Sequence, residues 1–384
     1  MNTRSSKNLS THDQFMQAAI EAARNGWGKT HPNPHVGAVI VEENEIVATG
    51  WHEKAGAEHA EPMALRELGR APGPDTMMVV TLEPCSTHGK TPPCTERIIR
   101  SGLKKIIVGA LDPNPAHQGR GIDLLIEAGL DVTTGVCADD CRDLNLLFHH
   151  QMEKQTPMLA AKVASTLDGK TATRTGRSQW ITSNPARENA MHWRRYFPAI
   201  AVAAGTVLAD NPRLTARSEG QPEICPIRYV FDRDLRTAHH ADALHLYDDS
   251  FAREKTRVIH APEASTEALE HLHQRGIQTR SLPHHAGRTC LDDFRAHLTE
   301  SGLQGCLLEG GSQLLGHALQ TEQIDYLFHI LAPKILGDAS ASTPFQGRAP
   351  DKLTEAIQLH KTRWEIMTPD ILCRGFLSAS TPND

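Results

Sequence analysis

Four residues between positions 59 and 94 could do chemistry together: His59, Glu61, Cys85 and Cys94. Neutral imidazole and thiolate are the ligands that zinc prefers. Three protein ligands leave the fourth tetrahedral position open for water, which marks a catalytic rather than a structural site. Bound Zn²⁺ lowers the pKa of such a water from about 15.7 towards about 7, so the nucleophile exists at neutral pH. Glu61 lies two residues after His59, close enough to move protons there without being a ligand. The bland alternative is two buried cysteines and a surface histidine, since a lone H-x-E is common by chance.

H-x-E followed by P-C-x-x-C is the pattern of zinc deaminases that act on nucleobases. Here eight residues, Ser86 to Pro93, separate the cysteines. The resulting string, PCSTHGKTPPC, resembles the deaminase half of the bifunctional deaminase–reductases of riboflavin biosynthesis. The resemblance implies His59, Cys85 and Cys94 as zinc ligands and Glu61 as proton shuttle. It also implies substrate contacts at Asn33, His52, Lys90, Asp112 and Asn114. By their residue types alone, Asn33 is a turn former, His52 a loop histidine and Lys90 a solvated lysine. A phosphosugar pocket, however, needs a cation at its rim. Thr87 and Ala116-His117-Gln118 depart from the family's usual pattern. Cys137 and Cys141 are spaced like a ligand pair but lack partners, and read as structural.

Composition narrows the partners. The net charge is −6, which offers no general attraction to nucleic acid, so a small-molecule substrate is expected over a polynucleotide. No apolar run approaches the roughly 20 residues that span a membrane. The leader MNTRSSKNLSTHD lacks the apolar centre of a secretory signal. A thiolate site suits a reducing compartment, so the expected location is the cytoplasm.

The elements that must hold these residues follow from periodicity and punctuation. A helix is predicted over 13–25, a hairpin of strands 36–41 and 45–49 turning at Glu43-Asn44, and a helix over 59–68 with Pro62 in its first turn. A strand over 77–81 leads to Cys85. A helix over 91–100, opened by two prolines, carries Cys94. Strand 105–110, helix 121–128, strand 131–136 and helix 137–151 complete an α/β pattern with a parallel-rich sheet. A short linker follows, so domains are expected at 12–152 and 157–384. In the second, strands are predicted at 158–166, 199–205, 227–231, 257–260, 305–308, 326–333 and 370–377. Asn184 should cap a helix over 185–197. Gly310-Gly311 between a strand and a helix could admit a phosphate, although the turn lacks G-x-G-x-x-G.

AKVASTLDGKTA, SQWIT, AGTVLADNPRLTAR, LEGG and LAPKILG resemble the reductase half of the same family. The implied folds are a cytidine-deaminase-like three-layer α/β/α domain and a dihydrofolate-reductase-like α/β domain. The implied NADPH contacts are Ala164, Trp180, Thr206, Asp210 and Gly311-Ser312-Gln313-Leu314-Leu315-Gly316-His317. The implied phosphosugar and pyrimidine contacts are Ser178, Arg194, Leu214, Arg217 and Glu309, and Lys162, Asp210 and Glu309 are the polar groups placed near the reacting ribose. Arg194 and Arg217 make sense as a phosphate clamp, because a guanidinium fork matches phosphate oxygens. The expectation is one polypeptide that deaminates a phosphoribosylated pyrimidine with Zn²⁺ and then reduces its ribosyl chain with NADPH, as a dimer or tetramer. Two rivals remain: a nucleoside or tRNA deaminase with a decaying second half, and a non-catalytic protein stapled by zinc.

Overall fold

The computed structural model describes residues 10–87, 92–115, 117–282 and 290–378. The chain divides into two compact units between Thr156 and Pro157. Among the described residues, no helix is long and apolar enough to cross a membrane.

The first unit is built on five strands: β1 (Gly37–Glu42), β2 (Glu45–Trp51), β3 (Met77–Leu82), β4 (Lys105–Ala110) and β5 (Asp131–Thr134), in the order β2-β1-β3-β4-β5. β1 runs antiparallel to β2 and β3, whereas β3, β4 and β5 are parallel. Glu43 and Asn44 both take positive φ, as a two-residue hairpin turn requires. Ala38, Ile40, Met78, Val80, Ile106 and Val108 share one buried face, and the alternate residues Val39, Val41, Val79 and Ile107 face the other way. Helix α1 (Thr11–Ala23) opens with a capping box between Ser10 and Asp13. It lies so near the sheet that a Cβ on Gly37 would stand 1.9 Å from the Ala19 carbonyl. Helix α2 (Ala60–Leu68) approaches Gly50 as closely: a Cβ there would stand 2.3 Å from the Ala60 carbonyl. The remaining helices are α3 (Cys94–Ser101), α4 (Arg120–Glu127), α5 (Ala138–Leu144) and α6 (Leu146–Lys154).

The single helix expected over 137–151 is two helices, α5 and α6. Asn145 breaks it, because its side chain accepts from the His35 N–H at 2.7 Å and donates to the His35 carbonyl at 2.8 Å. A buried side chain thus pairs with backbone, a competition typical of asparagine.

Among the described residues, the second unit holds a nine-stranded sheet. Its strands are β6 (Met158–Thr166), β7 (Ala199–Ala203), β8 (Ile227–Phe231), β9 (Thr256–His260), β10 (Gln278–Ser281), β11 (Gly305–Glu309), β12 (Tyr326–Ala332), β13 (Gln358–Met367) and β14 (Asp370–Ser378). The order is β10-β9-β8-β7-β11-β6-β12-β14-β13. The run from β10 to β12 is parallel, and β14 and β13 close it antiparallel. Alternation divides the strands between two cores: Ala199, Ala201, Tyr229 and Ile259 enter one, and Ile200, Val202, Val230 and Val258 the other. Helices α7 (Asn184–Tyr196), α8 (Ala204–Asp210), α9 (His245–Asp248), α10 (Ala252–Lys255), α11 (Thr266–Gln274), α12 (Cys290–Glu300) and α13 (Ser312–Gln320) accompany the sheet.

Two local expectations change here. The N-cap of α7 is Ser183 rather than Asn184, and the buried Asp370 carboxylate accepts from both the N–H and the hydroxyl of Ser183. The strand expected over 199–205 ends at Ala203, where the chain turns into α8.

Candidate active sites

In the first unit, His59 is the N-cap of α2, Cys85 follows the end of β3, and Cys94 is the first residue of α3. Two helix N-termini and one strand end therefore meet. The three ligand atoms lie within 4.8 Å of one another, and no other such group of His, Cys, Asp or Glu occurs among the described residues. His59 Nδ1 stands 3.7 Å from Cys85 Sγ and 3.3 Å from Cys94 Sγ. A tetrahedral ion with zinc–nitrogen and zinc–sulfur bonds of about 2.1 and 2.3 Å would place those atoms about 3.6 Å apart. The spacing fits zinc.

The electrostatics fit as well. The Cys94 thiol beside it draws Cys85 down to about 4, assisted by His59 and the Cys94 N–H and opposed by burial. Cys94 moves up, because the neighbouring Cys85 sulfur and its own burial both disfavour a second negative charge. A divalent cation would offset that repulsion. Glu61 is 3 % exposed, and burial pushes its carboxyl up to about 7. A carboxyl poised there can both take and give a proton.

Asn33 and His52 join this centre. His52 Nδ1 donates to the Glu58 carbonyl at 3.0 Å, so Nε2 is free to accept from Asn33 Nδ2 at 3.2 Å. Burial lowers the His52 pKa, which keeps the ring neutral, and the bond to the Glu58 carbonyl selects the tautomer. The His52 and His59 rings meet edge to face at 5.3 Å. Asp112 is half-buried, and burial raises its carboxyl above the ordinary value, with a smaller push the same way from Glu83 and Cys85. Its Oδ1 accepts from the Asn114 N–H at 2.8 Å, which folds the two into one turn. Lys90 and Ala116 lie outside the described residues. Cys141 packs under the sheet against Gly109, consistent with a structural cysteine.

In the second unit, a cavity of about 1460 Å³ opens at the strand ends. Lys162, Ala164, Ser178, Trp180, Arg194, Thr206, Asp210, Leu214, Arg217, Glu309, Gly311, Ser312, Gln313, Leu314, Leu315 and His317 all line it. Gly316 does not. A Cβ on it would stand 1.8 Å from the Gln346 carbonyl, so it serves close backbone packing. Gly310 and Gly311 take φ of 75° and 82° between β11 and α13, and a Cβ on Gly311 would stand 2.9 Å from Ala203. Bare backbone at a helix N-terminus suits the phosphates of a dinucleotide, so the donor set fits NADPH.

Arg194 differs from the open phosphate clamp that its type suggests. Its guanidinium donates to both Glu309 oxygens, at 3.1 and 2.7 Å, and to the Thr215 carbonyl at 3.0 Å. Burial disfavours the Glu309 charge, but Arg194 and Lys162 outweigh it and hold the carboxyl below its ordinary value. Sequence reasoning missed Arg228. Fully buried, it pairs with Asp249 and donates to the Arg213 carbonyl at 3.0 Å. Leu214, with φ of 52°, thus sits between two carbonyls each fixed by an arginine. Only its surroundings could reveal this, since a single arginine on a strand carries no such signal.

A family profile for the cytidine and deoxycytidylate deaminase zinc-binding region matches residues 9–110, and one for the RibD C-terminal domain matches residues 157–373. The riboflavin biosynthesis protein RibD of Actinobacillus pleuropneumoniae is 37 % identical over 93 % of this chain and 93 % of its own length. This chain belongs to the RibD family. The RibD of Escherichia coli K12 is 35 % identical over 94 % of this chain and 97 % of its own. A solved structure of RibD from Acinetobacter baumannii superposes with a TM-score of 0.76 at 32 % identity, covering 96 % of this chain and 99 % of that one. The expected fold classes hold: a cytidine-deaminase-like α/β unit precedes a RibD-type reductase unit. Like the family, the chain is a bifunctional deaminase–reductase of riboflavin biosynthesis, with Zn²⁺ and NADPH as its cofactors.

Proposed function

We propose that the segment 12–152 hydrolytically deaminates 2,5-diamino-6-(5-phosphoribosylamino)pyrimidin-4-one and that the segment 157–384 reduces the resulting aminouracil. A Thermotoga maritima protein whose name carries both activities is 31 % identical and matches with a TM-score of 0.74 over 96 % of this chain and 99 % of its own. The observation that carries the reading is the His59, Cys85 and Cys94 cluster beside a buried carboxyl.

His59, Cys85 and Cys94 hold the zinc ion, which supplies the Lewis acidity that makes water nucleophilic near pH 7. Glu61 takes the proton of the attacking water and delivers it to the departing nitrogen. A C–O bond forms, the C–N bond breaks and ammonia leaves. Asn33, held by His52, orients the pyrimidine, Lys90 meets the substrate phosphate, and Asp112 and Asn114 close the same site. In the second segment NADPH supplies the hydride, so no protein nucleophile is needed. Ala164, Trp180, Thr206, Asp210 and residues 311–317 hold the cofactor. Ser178, Leu214 and Arg217 contact the substrate, and Lys162 and Glu309 face the ribose. Arg194 acts through Glu309 and Thr215. The enzyme works in the cytoplasm on small molecules rather than nucleic acid, as a dimer or tetramer.

Removing zinc with a chelator abolishes ammonia release and leaves reduction of the pre-deaminated substrate intact. Glu61→Gln does the same with zinc retained, lowering deamination by a factor on the order of 10² or more. Loss of both activities without unfolding refutes the two-site reading.

A further inference from the structure

Glu83 ends the run from β3 towards the metal ligand Cys85, yet its side chain points at neither the metal cluster nor solvent. It is 5 % exposed. Its Oε2 accepts from the Asp112 N–H at 3.1 Å and the Gly119 N–H at 3.0 Å, and its Oε1 accepts from the Gly121 N–H at 2.8 Å. Its own N–H donates to the Ala110 carbonyl at 2.9 Å, at the end of β4. One carboxylate thus collects three backbone donors, two from the connection between β4 and α4 and one from the first turn of α4.

Two details show that the connection is shaped around this group. Gly119 is the N-cap of α4 with φ of 80°, so it offers no side-chain cap, and the Glu83 carboxylate, just past the end of β3, takes that place. A Cβ on Gly121 would stand 2.3 Å from the Pro84 carbonyl and 3.1 Å from Glu83 Oε1, so only glycine lets α4 start so near. The positive end of the helix dipole favours an anion there. Convergent N–H groups around one anion form a nest, here filled by the protein's own carboxylate.

We propose that Glu83 is a positioning residue of the deamination site. It holds the Asp112–Asn114 turn, which carries substrate contacts, in register with Pro84-Cys85, which carries a metal ligand. This rests on the deaminase reading above. Glu83 touches neither substrate nor metal. It fixes the distance between the groups that do.

The test is Glu83→Gln in the full-length zinc-loaded protein. The amide is the same size, but its NH₂ must face an N–H donor, so one end of the grip is lost. Charged hydrogen bonds of this kind correspond to about tenfold or more in binding. The expected result is a KM for deamination raised about tenfold or more with kcat little changed, because the turn binds ground and transition states alike. Zinc content and reductase activity stay at wild-type values, and hydrogen exchange at the Gly119 and Gly121 amides accelerates. The double variant Glu83→Gln/Asn114→Ala is no worse than the worse single variant, because both act through one turn. Additive losses, lost zinc, or unchanged exchange at those amides overturns the proposal. Wild-type protein that releases no ammonia refutes the deaminase reading instead, and the exchange result still decides whether Glu83 holds the turn. If Glu83→Gln does not fold, Glu83→Asp keeps the charge one methylene short, and the same outcomes decide.

Discussion

Glu309→Ala exposes what the Arg194 pair does. The pair is bidentate, and each side chain is only 10 % exposed. Removing one member of a buried pair typically costs about 3 to 5 kcal/mol, because the other charge is left unpaired. Here Lys162 also acts on Glu309, so the substitution leaves two like charges without their common partner. A loss of about 3 kcal/mol or more is therefore expected. Arg194→Met with Glu309→Leu removes both charges, and apolar replacements of buried pairs are often neutral or stabilising by about 1 to 4 kcal/mol. The lost bond to the Thr215 carbonyl subtracts about 1 kcal/mol. The double variant should return close to wild-type stability while reduction stays abolished. Urea unfolding of the second unit, followed through Trp193, whose ring meets that of Phe328 at 4.5 Å with a 47° tilt, reads the difference. The pH dependence has a fixed sign. The folded pKa of Glu309 lies below its unfolded value, so its contribution is complete above about pH 4.5 and is lost as the pH falls further. A Glu309→Ala cost under about 1 kcal/mol would refute the reasoning, since it would mean a solvated pair whose arginine is free for phosphate.

Two further outcomes follow from close contacts in the first unit. Gly50→Ala should push α2 away from β2, because the new Cβ would meet the Ala60 carbonyl and the Ala64 nitrogen, at 2.3 and 2.4 Å. His59 and Glu61 ride on that helix, so zinc affinity measured by competition with a chromogenic chelator should fall by about 10- to 100-fold. His35→Phe should flatten the acid limb of the stability curve. Burial first, then the His31 charge, hold His35 well below its ordinary value, so the protein prefers it neutral. That preference is complete above about pH 6.5 and is lost as the pH falls below it. Thermal unfolding between pH 8 and 5.5 checks this, and an unchanged slope counts against it.

The His59, Cys85 and Cys94 cluster was legible because residue types that suit a metal come there with local punctuation. Pro62, Pro84 and Pro93 mark where helices start or strands stop, and the three residues sit near those marks. The α/β alternation was legible for the same reason, since buried parallel strands such as Ile227–Phe231 and Gly305–Glu309 are short apolar runs between turn formers. What escaped depends on partners far along the chain. Nothing near Asn145 announces that it will pair with His35, so the helix looked continuous. Asp370 decides which residue caps α7 from the far end of the second unit. Strand β13 reads QLHKTRWEIM, and its polar sequence suits an edge strand with mostly exposed side chains, not a core strand. The arginines are the clearest case. Arg194 and Arg217 look alike as letters, yet one guanidinium is fully engaged by Glu309 and Thr215.

Leu214 shows what such engagement does. A leucine held at positive φ would ordinarily relax. With each flanking carbonyl pinned by a separate guanidinium, this bend is set before any ligand arrives. A ligand that touches it need not first quiet a wandering loop, so little freedom remains to be surrendered on association. The same anchoring makes the bend poorly transferable. Grafted into another scaffold without Arg194 and Arg228, the sequence NPRLTAR should settle into some other shape.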